Sequence, residues 1–131
     1  MADERPTQPV ARRLLVVEDE TITAMTLVDA LEDFGFRVAA VVGTVPRALE
    51  AVERLAGEID GAVVDANLGG DPADPVARAL RAAGVPFVVA SGYDRADLRR
   101  RGYLEVIVPK PYLRSELRHA VESLFAGGAV A

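Results

Sequence analysis

Leu14-Leu15-Val16-Val17-Glu18-Asp19 is a run of four apolar residues that ends abruptly in two acids. A continuous apolar run, as opposed to an alternating one, is typical of a strand in a parallel sheet that helices cover on both faces. Further runs of this kind lead into Asp65, into Ser91 and, one residue after the run, into Lys110. The pattern predicts an α/β fold whose strands end on polar side chains.

Segments of helical periodicity alternate with these apolar runs along the chain. The predicted strands lie at 14–17, 38–42, 61–64, 87–90 and 106–108. The predicted helices lie at 20–34, 44–56, 75–83, 94–101 and 113–125. Residues 67–74 are rich in Gly, Asp and Pro and are predicted to form a loop. Five such units suit the flavodoxin-like fold, a five-stranded parallel sheet in the order 2-1-3-4-5 with helices on both faces.

The composition narrows the class of protein. The 131 residues suit one domain, which we expect at 13–126 between flexible tails at 1–12 and 127–131. A hydrophobic fraction of 50% excludes a disordered chain, and a net charge of -5 disfavours nucleic acid as a partner. The lack of cysteine excludes a thiolate zinc site, and the single histidine, His119, excludes a multi-histidine centre. Since no stretch approaches the roughly 20 apolar residues of a membrane span, we expect a cytoplasmic protein without a membrane partner.

Three carboxylates are predicted to meet at the end of the sheet. Open parallel sheets bind ligands at the carboxyl ends of their strands, here between strand 1, which ends at Glu18 and Asp19, and strand 3, which ends at Asp65. Like charges this close repel unless a cation lies between them, and Mg²⁺ prefers such oxygen ligands. With a metal to offset repulsion, Asp65 could accept a phosphoryl group. Alternatively, Glu18 and Asp19 only open a helix, and Asp65 is an ordinary turn aspartate.

A hydroxyl and an ammonium are expected at the same edge. Lys110 is the only lysine among the 15 basic residues, and it lies between Pro109 and Pro111, which restrict its backbone. Its ammonium can pair with Asp65 at rest and with phosphate oxygens afterwards, and a cis bond to Pro111 is plausible. Ser91, followed by a glycine, can donate to a phosphoryl oxygen. Solvent-exposed lysine and ordinary loop serine are the alternatives.

These residues, at this spacing, resemble the receiver domain of two-component response regulators over residues 13–125. The resemblance implies that Asp65 accepts phosphate from a histidine kinase with Mg²⁺. It also implies that Ser91 and Lys110 bind the phosphoryl group. It further implies a metal set made of Asp19 as direct ligand, Asp65, Glu18 through water, and the backbone carbonyl of Asn67. The protein would be a regulator that signals through a downstream protein, not an enzyme beyond its own phosphorylation and dephosphorylation.

A narrower resemblance concerns the segment Pro86-Phe87-Val88-Val89-Ala90-Ser91-Gly92-Tyr93. It is similar to the "FAT GUY" signature of single-domain receivers of alphaproteobacteria, with Val89 in place of phenylalanine and Ser91 in place of threonine. This similarity implies a histidine kinase of the HWE or HisKA2 type. It also implies a role as phosphate shuttle, phosphate sink or protein-binding switch.

One position departs from the common receiver pattern. Many receivers carry Tyr or Phe three residues before the lysine, whereas this chain has Ile107. We therefore expect the loop after strand 4, with Tyr93 and the short polar helix at 94–101, to carry the change on phosphorylation. The arginines at 99–101 and at 12–13 are predicted to be solvated, although the first group could contact an acidic partner.

Three other classes of protein compete with this interpretation. A phosphatase of the haloacid-dehalogenase type would carry a second Asp two residues after the nucleophile, where this chain has Asn67. A flavodoxin-like cofactor binder would lack these acids beside its phosphate. A receiver that works without phosphate remains an alternative, although the complete acidic set disfavours it.

Overall fold

The computed structural model describes residues 11–126, so the tails predicted at 1–12 and 127–131 lie outside the described residues except for residues 11 and 12. The strands of the main sheet, numbered in chain order, are β1 (Arg13–Val17), β2 (Arg37–Val42), β3 (Gly61–Asp65), β4 (Phe87–Ser91) and β5 (Val106–Pro109). The helices are α1 (Thr21–Asp33), α2 (Val45–Leu55), α3 (Asp74–Ala82), α4 (Arg95–Arg100) and α5 (Arg114–Ala126). Within these residues no helix is long and apolar enough to cross a bilayer.

The main sheet is parallel and has the order β2-β1-β3-β4-β5, which confirms the predicted flavodoxin-like topology. The register aligns the ends of the strands: Val17 pairs with Val64, and Ser91 pairs with Pro109. The residues that follow these pairs, including Glu18, Asp65 and Lys110, therefore emerge at one edge of the sheet. This edge is where a fold of this type binds ligands.

The central strands β1, β3 and β4 are buried on both faces of the sheet, which explains why they are continuous apolar runs. Successive strand residues point to opposite faces of the sheet, and each face carries a hydrophobic core. In β1, Leu15 and Val17 lie in one core, and Leu14 and Val16 lie in the other. The first core lies against α2, α3 and α4, and the second lies against α1 and α5. The two cores hold the strand ends in fixed positions.

The segment predicted as a plain loop contains a small hairpin, so that prediction was wrong. Asn67–Leu68 and Asp71–Pro72 pair as antiparallel strands. Gly69 and Gly70, which join them, have φ of +63° and +97°, a conformation that a two-residue hairpin turn requires and glycine adopts at little cost. The side-chain oxygen of Asn67 accepts a hydrogen bond of 2.7 Å from the backbone N–H of Gly70. The Gly-Gly pair was the sequence signal for this turn.

Not every apolar residue of α1 faces the core. Met25 is apolar, but it is 62% exposed. The buried stripe consists of Ala24, Leu27 and Leu31, at the spacing of one helical face. Met25 follows Ala24 directly, and one residue turns a helix by about 100°, so its side chain points away from the sheet.

A polar cluster joins α3 to the segment that follows α4. The hydroxyl of the fully buried Tyr103 donates to Asp74 Oδ1 over 2.8 Å, and the guanidinium of Arg101 donates to the same oxygen over 2.7 Å. Burial raises the pKa of Tyr103, as do the hydrogen bond to Asp74 and its charge, so the phenol stays neutral. Burial acts to raise the pKa of Asp74, but the hydrogen bonds from Arg101 and Tyr103 outweigh it and lower that pKa. The prediction that the arginines at 99–101 are solvated is therefore wrong for Arg101, which is half-buried and forms an ion pair with Asp74.

We expect the Asp74 cluster to make the free energy of unfolding depend on pH in the acid range. Because the pKa of Asp74 is lower in the folded protein than in the unfolded chain, its stabilisation is complete above the unfolded pKa of about 4 and is lost as the pH falls through the lowered value. Asp74→Asn should reduce the free energy of unfolding by about 1–2 kcal/mol at pH 7. Its difference from wild type should shrink below about pH 4. Urea unfolding across this pH range measures both.

The matched control is Asp33→Asn, because Asp33 also accepts from an arginine, Arg114, but on an exposed surface. It should cost at most about 1 kcal/mol at pH 7. A difference between Asp74→Asn and wild type that stays constant down to pH 2 would contradict the assignment.

Candidate functional site

The neighbouring strands β1 and β3 bring three carboxylates together. Glu18 and Asp19 follow β1, and Asp65 is the last residue of β3. One oxygen of each carboxylate lies within 4.8 Å of the others. Glu18 is buried, Asp65 is 9% exposed and Asp19 is exposed, so the cluster opens to solvent on the side of Asp19. The structure thus brings the three predicted acids to one place.

Lys110 lies between two of these acids. Its ammonium donates to Asp65 Oδ2 over 2.8 Å and to Glu18 Oε1 over 3.3 Å. The backbone N–H of Lys110 donates to the carbonyl of Ser91 over 2.8 Å, which ties the end of β5 to the end of β4. The Lys110–Pro111 bond is cis, as the sequence suggested. The predicted resting pair between Lys110 and Asp65 is present.

The charges in this cluster do not balance. Burial raises the pKa of Glu18, and the nearby charge of Asp65 adds to this, while the backbone N–H of Glu20 and the ammonium of Lys110 act in the opposite direction. Burial acts to lower the pKa of Lys110, but its hydrogen bond to Asp65 and the charges of Asp65 and Glu18 outweigh it, so that pKa is raised. Lys110 stays protonated, and one ammonium cannot neutralise three carboxylates. A divalent cation would supply the missing charge.

Asn67 and the hairpin that it opens border the cluster. The backbone N–H of Asn67 donates to Asp65 Oδ1 over 2.9 Å, so both oxygens of Asp65 are held by protein donors. A Cβ atom on Gly69 would lie 3.6 Å from Asp19 Oδ2, which places the hairpin turn against the exposed acid. The hairpin therefore forms a wall of the site beside the three carboxylates.

A small cavity lies beside Asp65. It has a volume of about 170 Å³ and is lined by Asp65, Asn67, Ser91, Gly92 and Tyr93. Ser91 is buried, and its hydroxyl oxygen accepts from the backbone N–H of Tyr93 over 2.8 Å, which leaves the hydroxyl proton free to donate. The cavity can take a small anion that carries hydrogen-bond acceptors. A phosphoryl group has this chemistry.

Comparison with known proteins identifies the family. No protein-family model and no curated protein matches the chain. Among solved structures, SdrG from Sphingomonas melonis Fr1 is 36% identical, with a TM-score of 0.75 over 89% of this chain and 98% of that one. A response regulator receiver protein from Sinorhizobium medicae WSM419 is 30% identical, with a TM-score of 0.78 over 89% of this chain and 96% of that one. The chain belongs to the response regulator receiver family.

The receiver fold is also found at lower identity. The receiver domain of the sensor histidine kinase PA1611 from Pseudomonas aeruginosa PAO1 is 21% identical, with a TM-score of 0.77 over 89% of this chain and 99% of that one. In that protein a magnesium ion is coordinated in the active-site cleft. This likeness extends the agreement in fold beyond the closer relatives.

Two residues at the site of this receiver were missed in the sequence. A Cβ atom on Gly43, in the loop after β2, would lie 3.3 Å from both Asp19 Cα and the Glu18 carbonyl oxygen, so a larger residue here would have to displace this backbone by a few tenths of an ångström. Tyr112 is half-buried close to the ammonium, and burial raises its pKa. A glycine at the end of β2 and an aromatic residue two positions after Lys110 were the available signals.

Two further predictions concern residues of this receiver outside the cluster. His119 lies on the exposed side of α5, as expected. Ile107 is 5% exposed and packs in the same core as Leu98 and Tyr103. The position that many receivers fill with an aromatic residue is therefore occupied here by an aliphatic side chain that belongs to the core.

We expect Lys110→Met to destabilise the protein at neutral pH in the absence of divalent cations. The substitution keeps the length and the apolar stem of the side chain but leaves the carboxylates of Asp65 and Glu18 without their cation. The cost should be about 1–3 kcal/mol, since a buried acceptor loses its partner. Urea unfolding of the two proteins at pH 7 measures it.

The control for this experiment is Arg118→Met, which removes an exposed ion pair with Glu122. An exposed pair contributes at most about 1 kcal/mol. Equal losses in the two variants would mean that Lys110 stabilises the acidic cluster no more than an exposed ion pair stabilises the surface.

Proposed function

We propose that this receiver accepts a phosphoryl group on Asp65 from a histidine kinase, in a reaction that requires Mg²⁺. The observation that carries this proposal is the placement of Asp65 between the ammonium of Lys110 and a small cavity that contains the hydroxyl of Ser91. A nucleophilic carboxylate, a fixed cation and a hydroxyl donor around one small space suit phosphoryl transfer.

The metal would be held by Asp19, Asp65, Glu18 through a water molecule, and the backbone carbonyl of Asn67. The donor set fits Mg²⁺ because it consists of oxygen atoms, because three of its carboxylates lie within 4.8 Å of one another, and because one lysine leaves the cluster negative. The magnesium ion in the PA1611 receiver domain supports the same assignment. When bound, the metal would offset repulsion between the Asp65 carboxylate and an incoming phosphoryl group.

The residues of the chain would divide the remaining work. A carboxylate oxygen of Asp65 forms a bond to phosphorus as the bond between phosphorus and the kinase histidine nitrogen breaks. Lys110, which now donates to Asp65 and Glu18, can transfer one of its hydrogen bonds to a phosphoryl oxygen. Ser91 can donate its hydroxyl proton to another phosphoryl oxygen.

The protein is further proposed to belong to the FAT GUY type and to act with a kinase of the HWE or HisKA2 class in the cytoplasm. The segment from Pro86 to Tyr93 supports this subtype, and it contributes β4, Ser91 and part of the cavity. Residues 13–126 would form the receiver domain, which signals or shuttles phosphate through protein contacts. The segment from Tyr93 to Arg101 would carry the response, because Ile107 provides no aromatic switch at its position.

A small-molecule phosphodonor tests the central step. The protein is incubated with acetyl phosphate and Mg²⁺, and its intact mass and its migration on a phosphate-affinity gel are followed. Wild type should gain one phosphoryl group, and omission of Mg²⁺ with added chelator should prevent the gain. Asp65→Asn should gain none because an amide is not a nucleophile for this reaction.

The exposed aspartate Asp33 provides the control, because Asp33→Asn should be phosphorylated like wild type. Phosphorylation that survives in Asp65→Asn would refute Asp65 as the acceptor. A wild-type protein that is labelled neither by acetyl phosphate nor by a histidine kinase would favour a receiver that works without phosphate.

A further inference from the structure

Arg101 connects a tyrosine at the Asp65 cavity to a buried cluster. Its guanidinium carbon lies 5.3 Å from the ring centre of Tyr93 and 5.9 Å from that of Tyr103. The same guanidinium donates to Asp74 Oδ1 over 2.7 Å. A cation this close to an aromatic face is attracted to it, and the attraction grows as the cation is shielded from water. The Arg101 side chain is 28% exposed and Tyr93 is 41% exposed, so their contact is partly exposed and lies towards the weaker side of this range.

The partners that hold Arg101 are themselves fixed. Asp74 is the first residue of α3, and Tyr103, whose hydroxyl donates to Asp74, is 1% exposed. Arg99 donates to the backbone carbonyls of Tyr103 and Glu105 over 2.7 and 2.9 Å, which holds the chain after α4. The guanidinium of Arg101 is therefore bound to a part of the molecule whose position is fixed by other contacts.

Tyr93, by contrast, lies at the rim of the cavity. Tyr93 is 41% exposed, and it lines the cavity of about 170 Å³ beside Asp65. Its backbone N–H donates to the Ser91 hydroxyl oxygen, which is the group that would contact a phosphoryl oxygen. The position of the Tyr93 ring thus bears on how freely water reaches Asp65, and Arg101 is the group that stacks on this ring.

Arg101 also connects elements that flank the cavity. The cavity is lined on one side by Asn67, the first residue of the hairpin, and on the other by Ser91, Gly92 and Tyr93. Arg101 contacts Tyr93 at the rim and Asp74, which begins α3 after the hairpin. A side chain 36 residues beyond Asp65 therefore contacts the rim of the cavity and the helix that follows the hairpin.

We infer that Arg101 is a positioning residue that holds the Tyr93 ring at the rim of the Asp65 cavity and so slows hydrolysis of the phosphoryl group there. This inference rests on the proposed function. In hydrolysis a water oxygen forms a bond to phosphorus, the bond from phosphorus to the Asp65 oxygen breaks, and the Asp65 carboxylate is regenerated while both protons of the water leave with inorganic phosphate as dihydrogen phosphate. With the ring released, water reaches phosphorus more often and the phosphoryl group is lost sooner.

Phosphoryl lifetime in a double-mutant cycle tests this inference. Wild type, Arg101→Met, Tyr93→Leu and the double variant are phosphorylated with acetyl phosphate and Mg²⁺, freed of donor by desalting, and followed on phosphate-affinity gels. Arg101→Met should shorten the lifetime about two- to five-fold, the size of a partly exposed cation–π contact. In the Tyr93→Leu background, Arg101→Met should have little further effect on the lifetime, because the ring that Arg101 contacts is absent. Equal shortening in both backgrounds would overturn the inference.

The chain offers a matched control for Arg101→Met. Arg114 stacks over Phe34 at 5.3 Å and donates to Asp33 over 2.9 Å, an arrangement similar to that of Arg101 but outside the cavity. Arg114→Met should leave the phosphoryl lifetime unchanged. A shortening as large as that of Arg101→Met would show a general loss of stability and would overturn the specific role.

A second measurement decides the positioning without phosphate. The three tyrosines are replaced by 3-fluorotyrosine, and the Tyr93 resonance is assigned with Tyr93→Phe. Arg101→Met should move this resonance towards that of a solvent-exposed tyrosine, and Arg114→Met should not. Arg101→Lys, which keeps the charge but loses the planar stack, serves as the second variant should Arg101→Met not fold, and it should shift the resonance in the same direction.

The two measurements separate the inference from the proposed function. An unchanged Tyr93 resonance in folded Arg101→Met or Arg101→Lys overturns the positioning role, whatever the phosphorylation result. A wild-type protein that takes no phosphoryl group overturns the proposed function and the effect on lifetime. The fluorine result then still decides whether Arg101 holds Tyr93.

Discussion

The balance of charge around Lys110 is the constraint on which the rest of this structure depends. Three carboxylates within a few ångströms repel one another, and an isolated cluster of this kind favours a structure in which its members separate. The ammonium of Lys110, which follows the last strand of the sheet, donates hydrogen bonds to two of them, Asp65 and Glu18. The backbone N–H of Lys110 donates to the carbonyl of Ser91 at the end of β4. This bond fixes the backbone from which the ammonium extends to the acids. The remaining negative charge makes the site receptive to a divalent cation.

The two cores provide the rigidity that this arrangement requires. The three central strands, β1, β3 and β4, bury side chains on both faces, so that a slip in register would expose apolar groups on one face and create cavities on the other. The strand ends are thereby fixed relative to one another, which fixes the backbone from which the acids, the hydroxyl and the ammonium extend. Packing outside the site and hydrogen bonds within it together preorganise these groups.

The sequence allowed the sheet, its order and the members of the cluster to be predicted, because each depends on a local pattern and on one rule of topology. Runs of three to five residues identified the strands, and the parallel fold placed Glu18, Asp65 and Lys110 at one edge. The hairpin at Asn67 was missed because a composition rich in Gly, Asp and Pro suits a loop and a tight turn equally well. The environment of Arg101 could not be predicted, since its carboxylate partner, Asp74, lies 27 residues away and a run of arginines is usually solvated.

The arginines of this chain explain how a short polar helix becomes part of the structure. Helix α4 has six residues, too few to be stable alone. Leu98 anchors it in the core, and Arg99 and Arg101 bind carbonyls and a carboxylate that belong to other segments. Ile107, beneath this helix, is a branched aliphatic residue fixed in the core, whereas the rim of the cavity carries an aromatic ring held by a cation. A partly exposed ring moves more readily than a side chain packed on all sides, which supports the proposal that Tyr93, and not Ile107, responds to a charge change at Asp65.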